Sequence, residues 1–464
     1  VVSLMGCRGF LSPLLLARRR PNCAEHFLSL SSAQGQAINA PESDILRSNF
    51  VMNRTVSVRS MPWILPGRGM LPLQIFRAQS VVRPKQQPTL DTNSKKDPFF
   101  ATSDGEFISL VRKISTRNST ASIYQLSTSA KAMVSEWDTL SAEERYRVRL
   151  KVAAENRASA PLNPSTDLHI IYQDSDICVT YKPSGILSVP GPRRNPSLAN
   201  LVHDYLIYQE EQVDDHMGVD QMIVHRLDMD TSGILVYALN TQALSKLHED
   251  FRDRQVKKTY HALLVGHLPM SEVELDVSLE RDPLHVPFMR IARPRGLSTD
   301  STMPATNETN LSNNQPDPTA HPKFQKMINQ APKPSKTEMR VLVWEYLDQM
   351  EENGTTSKLP VTRVELVPHT GRTHQLRVHC ASLGYPIVGD DIYGYKGSGD
   401  CGIDHFALLA KHGNGNNSAA YQARTRLHTR LQKLQIPLCL HAKELSFYHP
   451  KTGTPIMFDC SPPF

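Results

Sequence analysis

From Leu168 onward, apolar residues recur with two alternating periods, and this confines the chain to a sheet with interposed helices. Ile170, Ile171 and Tyr172, then Ile177, Cys178, Val179 and Tyr181, flank Asp174-Ser175-Asp176 and predict two short strands that end in Lys182-Pro183-Ser184-Gly185. Leu198, Leu201, Val202, Tyr205 and Leu206 fall at i, i+3, i+4, i+7 and i+8, the spacing of an amphipathic helix. Strand patterns return from Gly233 to Leu239 and from Val256 to Val265, on either side of a helix opened by Thr241 with Leu244, Leu247, His248 and Phe251 on one face. A strand from Val361 to Val367, a helix from Thr373 to Leu383 stopped by Gly384, and a strand-turn-strand from Glu444 to Asp459 follow. The expected fold is α+β, with a mixed, largely antiparallel central sheet and flanking helices.

The rest of the chain reads differently. Only 39% of the 464 residues are hydrophobic and 33 are proline, so long stretches lack the material for a core. Residues 1–90 carry eleven Arg or Lys against Glu25, Glu42 and Asp44, more than the whole chain's net charge of +6. Leu14, Leu15 and Leu16 are followed there by Arg18, Arg19 and Arg20, the composition of a mitochondrial or plastid transit peptide or of a disordered extension. Such an extension is expected to be dispensable for catalysis, with cytoplasm or nucleus as the alternative location. Residues 91–165 read as a linker with one charged surface helix, opened by the Ser141/Glu144 capping box. The catalytic domain is expected over 166–464, with polar insertions at 296–336 and 397–420.

Because the positive excess lies in the first segment, any nucleic-acid affinity of the domain must come from a local patch. Cys7, Cys23, Cys178, Cys380, Cys401, Cys439 and Cys460 form no C-x-x-C pair, which argues against a disulfide framework or zinc site. No apolar run approaches the roughly 18 residues that span a bilayer, so no membrane partner is expected.

The densest chemical segment is Val224-His225-Arg226-Leu227-Asp228-Met229-Asp230-Thr231-Ser232-Gly233, which sets a carboxylate and a guanidinium before a strand. Alone, it reads equally as a reactive acid at a sheet edge or as a surface ion pair beside a turn. A second cluster, Thr370-Gly371-Arg372-Thr373-His374-Gln375-Leu376-Arg377-Val378-His379, opens a helix with two Arg and two His near free N–H groups, suited to an anion. The five-residue spacing of His369, His374 and His379 does not stack them on one helical face, which excludes a helical metal site.

Both segments resemble the signature motifs of the RluA-type pseudouridine synthases. The resemblance extends to Asp176 through Gly185, to Lys257-Lys258-Thr259-Tyr260-His261-Ala262, to Gly384 through Gly394 and to Leu440 through Pro450. It implies a catalytic domain of that fold with an RNA cleft along one face, acting as a monomer and without a cofactor on ribosomal or transfer RNA. It also implies that Asp228 starts cleavage of the glycosidic bond, either as nucleophile or by abstracting a sugar proton. The resemblance also makes Arg377 the ion-pair partner of Asp228, a cation that would keep a buried carboxylate ionised. By the same resemblance Tyr260 lies against the uracil and helps to take the C5 proton, Leu376 closes the other face, and Arg226 fills the place of the flipped base. His225, Lys182, Arg372 and Lys257 are further expected substrate contacts, the last three to phosphate. Two alternatives remain: a non-catalytic RNA-binding protein of this fold, and a metal-dependent sugar transferase built on Asp228-Met229-Asp230, which leaves the other motifs unexplained.

Overall fold

The computed structural model describes residues 57–65, 68–78, 103–116, 161–191, 194–208, 217–281, 288–292, 330–351, 354–394 and 419–464, with scattered positions between 131 and 158. Among these, twelve strands form one sheet. They are β1 (Ser57–Leu65), β2 (Arg68–Ala78), β3 (Ile170–Gln173), β4 (Ile177–Lys182), β5 (Ser232–Ala238), β6 (Lys257–Val265), β7 (Glu272–Arg281), β8 (Met289–Ile291), β9 (Lys333–Met350), β10 (Thr356–Pro368), β11 (Leu440–Tyr448) and β12 (Pro455–Cys460). The main path runs β1-β2-β12-β11-β6-β10-β9-β7-β8, and β3 and β4 branch from it through β5, which joins β11. Only β11–β5 and β12–β2 pair in parallel among the described strands, so the mixed, largely antiparallel sheet expected of an α+β fold is present. Five helices are named: α1 (Asp104–Thr116), α2 (Leu198–Tyr208), α3 (Thr241–Arg252), α4 (Gln375–Ser382) and α5 (Ala419–Lys433).

The apolar runs explain where these elements sit. Every residue of β4 and β5 is buried, as expected of central strands covered on both faces. Leu198, Leu201, Val202 and Leu206 of α2 and Ala243 and Leu247 of α3 join them in one core, and Ala262, Leu264, Val361, Val364, Leu366, Leu376 and Leu431 belong to a second. Tyr260 packs against both cores. At α3 the cap is Asn240, one residue before the expected Thr241, and its side chain accepts from Ala243 N at 2.8 Å.

The first departure concerns residues 1–90. β2 adds to the edge of β12, from Ile456 opposite Gln74 to Cys460 opposite Ala78. Phe76 is buried and stacks on Phe458 at 5.0 Å between ring centres. Residues 57–78 are therefore part of the sheet rather than a disordered extension, while the Leu14 to Arg20 segment lies outside the described residues.

Residues 91–165 also hold more than a linker. The expected charged helix is present at the described positions between 145 and 158, but it is not merely a surface helix. Val148, Val152 and Ala153 are buried with Phe107 and Val111 of α1 and with Trp137, which makes a small helical core. Arg145 and Arg149 both bond the Asp104 carboxylate, each at 2.9 Å. The insertion expected at 296–336 ends earlier than its composition indicates, since β9 begins at Lys333. The second insertion lies outside the described residues up to Ala419, where α5 begins. Among the described cysteines, Cys178, Cys380, Cys439 and Cys460 are free and buried, and no described helix is long and apolar enough to cross a membrane.

Candidate active site

Asp228 sits on a tight loop immediately before β5, and its main chain is held from two sides. On one side the Ser188 hydroxyl donates to Leu227 O at 2.7 Å and accepts from Leu227 N at 3.0 Å. On the other, Lys182 Nζ donates to Met229 O at 2.7 Å, Gly185 N to the same oxygen at 2.9 Å, and the Ser184 hydroxyl to Asp230 O at 2.7 Å. Thr231 N closes the turn on Asp228 O at 3.1 Å. The Lys-Pro-Ser-Gly segment is thus a cradle for the Asp228 loop. Gly233 then lets β5 press on β11: a Cβ there would lie 2.3 Å from Ala442 O, and its φ of 121° is open mainly to glycine.

The opposing wall comes from α4 and the loop before it. Gln375 organises that loop, accepting from the Thr370 hydroxyl and Arg372 N while donating to Lys336 O and the Thr337 hydroxyl of β9. His374 precedes the helix in the left-handed region, with φ 53°. Its Nε2 lies 3.9 Å from Asp228 Oδ1, and its Nδ1 is 2.8 Å from the Tyr393 hydroxyl. Burial lowers the pKa of His374 and favours the neutral ring, and the positive Arg377 and Arg281 reinforce this against the pull of Asp228 and Asp390. Tyr260 stands in mid-sheet, opposite Ala442 of β11 and Leu366 of β10. Burial first, then the Asp228 charge, raises its pKa, so the phenol stays protonated.

A family model described as RNA pseudouridylate synthase matches residues 176–382. The chain is 31% identical over 297 residues to the dual-specificity RNA pseudouridine synthase RluA of Yersinia pestis, covering 64% of this chain and 99% of the relative. It is 34% identical over 294 residues to the protein of the same name from Vibrio parahaemolyticus, covering 63% and 81%. The chain belongs to the RluA-type pseudouridine synthases. It is an isomerase that acts on RNA and converts uridine to pseudouridine. Among solved structures, human RNA pseudouridylate synthase domain containing 1 is similar at 25% identity, covering 66% of this chain and 87% of that one, with a TM-score of 0.39.

Several site residues of this synthase sit otherwise than their motifs imply. Arg377 does not pair directly with Asp228. Its Nε and Nη2 bond both oxygens of Asp390 at 2.8 and 2.6 Å, in a pair that is almost fully buried. Burial alone would raise the Asp390 carboxyl, but Arg377 and the N–H groups of Tyr393 and Ile392 hold it below its usual value. Arg377 reaches Asp228 only as a longer-range charge.

Lys182 is not a phosphate contact either. It is fully buried, and its ammonium donates to Pro183 O, Ile186 O and Met229 O at 2.7 to 2.9 Å, which uses its three N–H groups. His225 also faces inward. Its Nε2 accepts from Val236 N at 3.2 Å, its ring stacks on Phe251, and burial with the nearby Lys258 pushes its pKa down to about 3. It is an anchor for the loop rather than a substrate contact.

Lys257 is exposed on the strand face opposite Tyr260, because alternate residues of β6 point to opposite faces. Lys258 shares the Tyr260 side, with Nζ 5.8 Å from the Phe251 ring centre and close to Gly371. Leu376 is buried in the second core. Arg226 is exposed, as a residue reaching toward RNA must be. Arg372 is partly exposed, with Nε donating to Pro334 O at 3.1 Å. One cation was not singled out in the sequence: Arg281, at the end of β7, is half-buried and near enough to Arg226, Tyr393 and His374 to alter their electrostatics.

One cluster among the described residues has the composition of a metal site, Asp174, Asp176 and His449. Its atoms are already used within a turn. Asp174 accepts from the Tyr172 hydroxyl at 2.6 Å, from His449 Nε2 at 2.7 Å and from the N–H groups of Asp176 and Ile177, while His449 Nδ1 accepts from Lys451 N and Thr452 N.

Proposed function

We propose that Asp228 is the carboxylate that opens the glycosidic bond of a flipped uridine, in ribosomal or transfer RNA. The observation that carries this reading is that Asp228 sits on a loop gripped through its main chain, with His374 Nε2 3.9 Å away and Tyr260 near enough to sense its charge. Its side chain is 22% exposed, open enough to meet a base and sheltered enough to be strengthened by a reduced dielectric. The reaction breaks the N1 bond to ribose, rotates the uracil and joins C5 to the same carbon; C5 then gives up its proton and N1 takes one up, so the product is an isomer of the substrate with no redox change.

Tyr260 offers a neutral phenol face for stacking and a hydroxyl through which the C5 proton can pass. As a lone base it is weak, because burial and Asp228 both oppose the phenolate. Leu376 closes the pocket opposite it. Arg226 and Arg281 bring two positive charges near each other, which suits an RNA phosphate. Flipping the base costs a few kcal/mol, and Arg226 entering the vacated stack offsets part of that. Arg372 and Lys258 extend the basic edge along the cleft.

The choice of ribosomal or transfer RNA rests on the resemblance of Met229 to Gly233 and Lys336-Thr337-Glu338 to the branch of the family that modifies both, and the relatives named dual-specificity RNA synthases fit an enzyme with more than one target. The protein works as a monomer in this reading. The basic, acid-poor first segment supports delivery to a mitochondrion or plastid. Imaging a fluorescent fusion with and without residues 1–56 tests that location, and an unchanged distribution would reject it.

The decisive assay is tritium release from RNA labelled at uracil C5, using the full chain on ribosomal and transfer RNA. Release by the wild type and none by Asp228→Ala is the expected result. Equal release by both proteins would remove Asp228 from the chemistry.

A further inference from the structure

With Arg377 bound to Asp390, the basic group that the described residues bring within 4 Å of the Asp228 carboxylate is an imidazole, at 3.9 Å. We infer that His374 is a positioning residue that points its Nε2–H at Asp228 and fixes the carboxylate for the bond-breaking step, with Tyr393 setting the tautomer. This rests on the reading that Asp228 performs that step.

Three observations carry the inference. First, the tautomer follows from the bonding chain. The Tyr393 hydroxyl oxygen accepts from Met289 N at 3.0 Å and lies 2.8 Å from His374 Nδ1. The hydroxyl has one proton to give, and when it gives it to Nδ1 the neutral imidazole carries its own proton on Nε2, the tautomer inferred here. That nitrogen is the one facing Asp228 Oδ1.

Second, the backbone is held in an unfavourable conformation to place this ring. His374 has φ 53°, a region that a residue with a Cβ enters at a cost, and its side chain makes no capping bond to α4. The local helix therefore gains nothing from the imidazole at this position. Asn and Gly would satisfy the backbone more easily.

Third, the surroundings keep the ring neutral and in one orientation. Tyr393 is fully buried and meets the imidazole edge-on at 5.5 Å. The charged groups acting on the ring are Asp228, Asp390, Arg377 and Arg281, and burial outweighs the two carboxylates. At 3.9 Å the contact with Asp228 is longer than a hydrogen bond, and catalytic bonds of this kind commonly tighten only when substrate is held.

The test compares two amides of different reach in the full-length protein. The substitution His374→Gln places an amide donor near the position of Nε2, whereas His374→Asn reaches only as far as Nδ1. A purely structural role favours Asn, which tolerates the left-handed backbone better. A positioning role favours Gln.

Single-turnover rates on labelled RNA should fall about 10- to 100-fold in His374→Asn, the worth of one hydrogen bond to a charged group, and be largely restored in His374→Gln. KM and RNA affinity should stay within about twofold in both, since the contact acts on the carboxylate and not on RNA. Asn equal to or faster than Gln, or both at the wild-type rate, would overturn the inference. If neither variant folds, Tyr393→Phe decides: a lower rate at unchanged KM supports it, and a wild-type rate overturns it. Asp228→Asn is run beside them. Full activity in that variant defeats the reading of Asp228 itself, whereas a dead Asp228→Asn with a wild-type His374→Asn defeats only the role of His374.

Discussion

Arg377 and Asp390 form a two-point ion pair inside the protein, Nε to Oδ2 at 2.8 Å and Nη2 to Oδ1 at 2.6 Å. The same carboxylate receives Ile392 N and Tyr393 N, each at 2.9 Å. The pair thus joins α4 to the loop that carries Tyr393, and through Tyr393 it supports His374.

Removing one member of this pair strands the other. Arg377→Ala and Asp390→Ala should each cost about 3 to 5 kcal/mol in urea unfolding. The charge-free double substitution Arg377→Met/Asp390→Leu should regain most of that stability without regaining turnover. Two single variants of wild-type stability would show that the pair does not form.

Lys182 and Arg372 separate a buried clamp from an RNA contact. Lys182→Met should lower the melting temperature and the rate while leaving the salt dependence of RNA binding unchanged. Arg372→Gln should weaken binding and reduce the slope of log Kd against log salt by about 1 if its guanidinium meets a phosphate. A reduced slope for Lys182→Met would mean that its ammonium reaches RNA after all.

Stability should fall as the solution is acidified, because buried histidines resist protonation; His379 and His441 act in this way alongside His225 and His428. His379 and His441 are fully buried, and burial pushes both down to about 4. His379 lies between the Ser335 and Thr337 hydroxyls, and His441 between the Ser232 hydroxyl and Cys460 O. An unfolded imidazole titrates near 6.5. Between about 4 and 6.5 the unfolded chain therefore binds protons that the folded chain excludes, and stability rises with pH across that window. At pH 5 each site should have lost about 2 kcal/mol relative to neutral pH. Thermal melts from pH 5 to 7.5 measure this, and His379→Gln/His441→Gln should flatten the curve. An equally steep curve in that variant would assign the effect to other groups.

Residues 57–78 should prove structural. Their deletion uncovers the β12 edge and one face of Phe458, so a chain truncated before Gln79 should melt at a lower temperature than one truncated before Ser57. Equal melting temperatures would show that β2 contributes nothing to the fold.

The sequence made the alternation of strands and helices legible because core-forming residues repeat with the period of each element, as in β4, β5 and α2. It also singled out Asp228, Tyr260 and the segment that opens α4 through the resemblance of their motifs, and the fold sets His374 of that segment 3.9 Å from Asp228. What it hid depended on direction. Nothing near Lys182 states that its ammonium turns inward to three carbonyls, since one of them belongs to the distant Met229. The choice between Lys257 and Lys258 was readable from the two-residue period that links Lys258 to Tyr260, and it was missed. Arg281 ends a strand with no motif around it. For His374 the left-handed backbone is the informative feature, and residue type alone points to such a conformation only weakly. In residues 57–78 the scarcity of acids masked the strands, whose partner lies at the far end of the chain.

Five bonds that hold the Asp228 loop go to its main chain, two from Ser188 to Leu227 and three from Lys182, Ser184 and Gly185 to Met229 and Asp230. That grip is made to backbone atoms, whichever side chains stand at 229 and 230. The seat of the carboxylate is therefore written in carbonyls that every residue carries, and a change of side chain at these two positions leaves those acceptors in place.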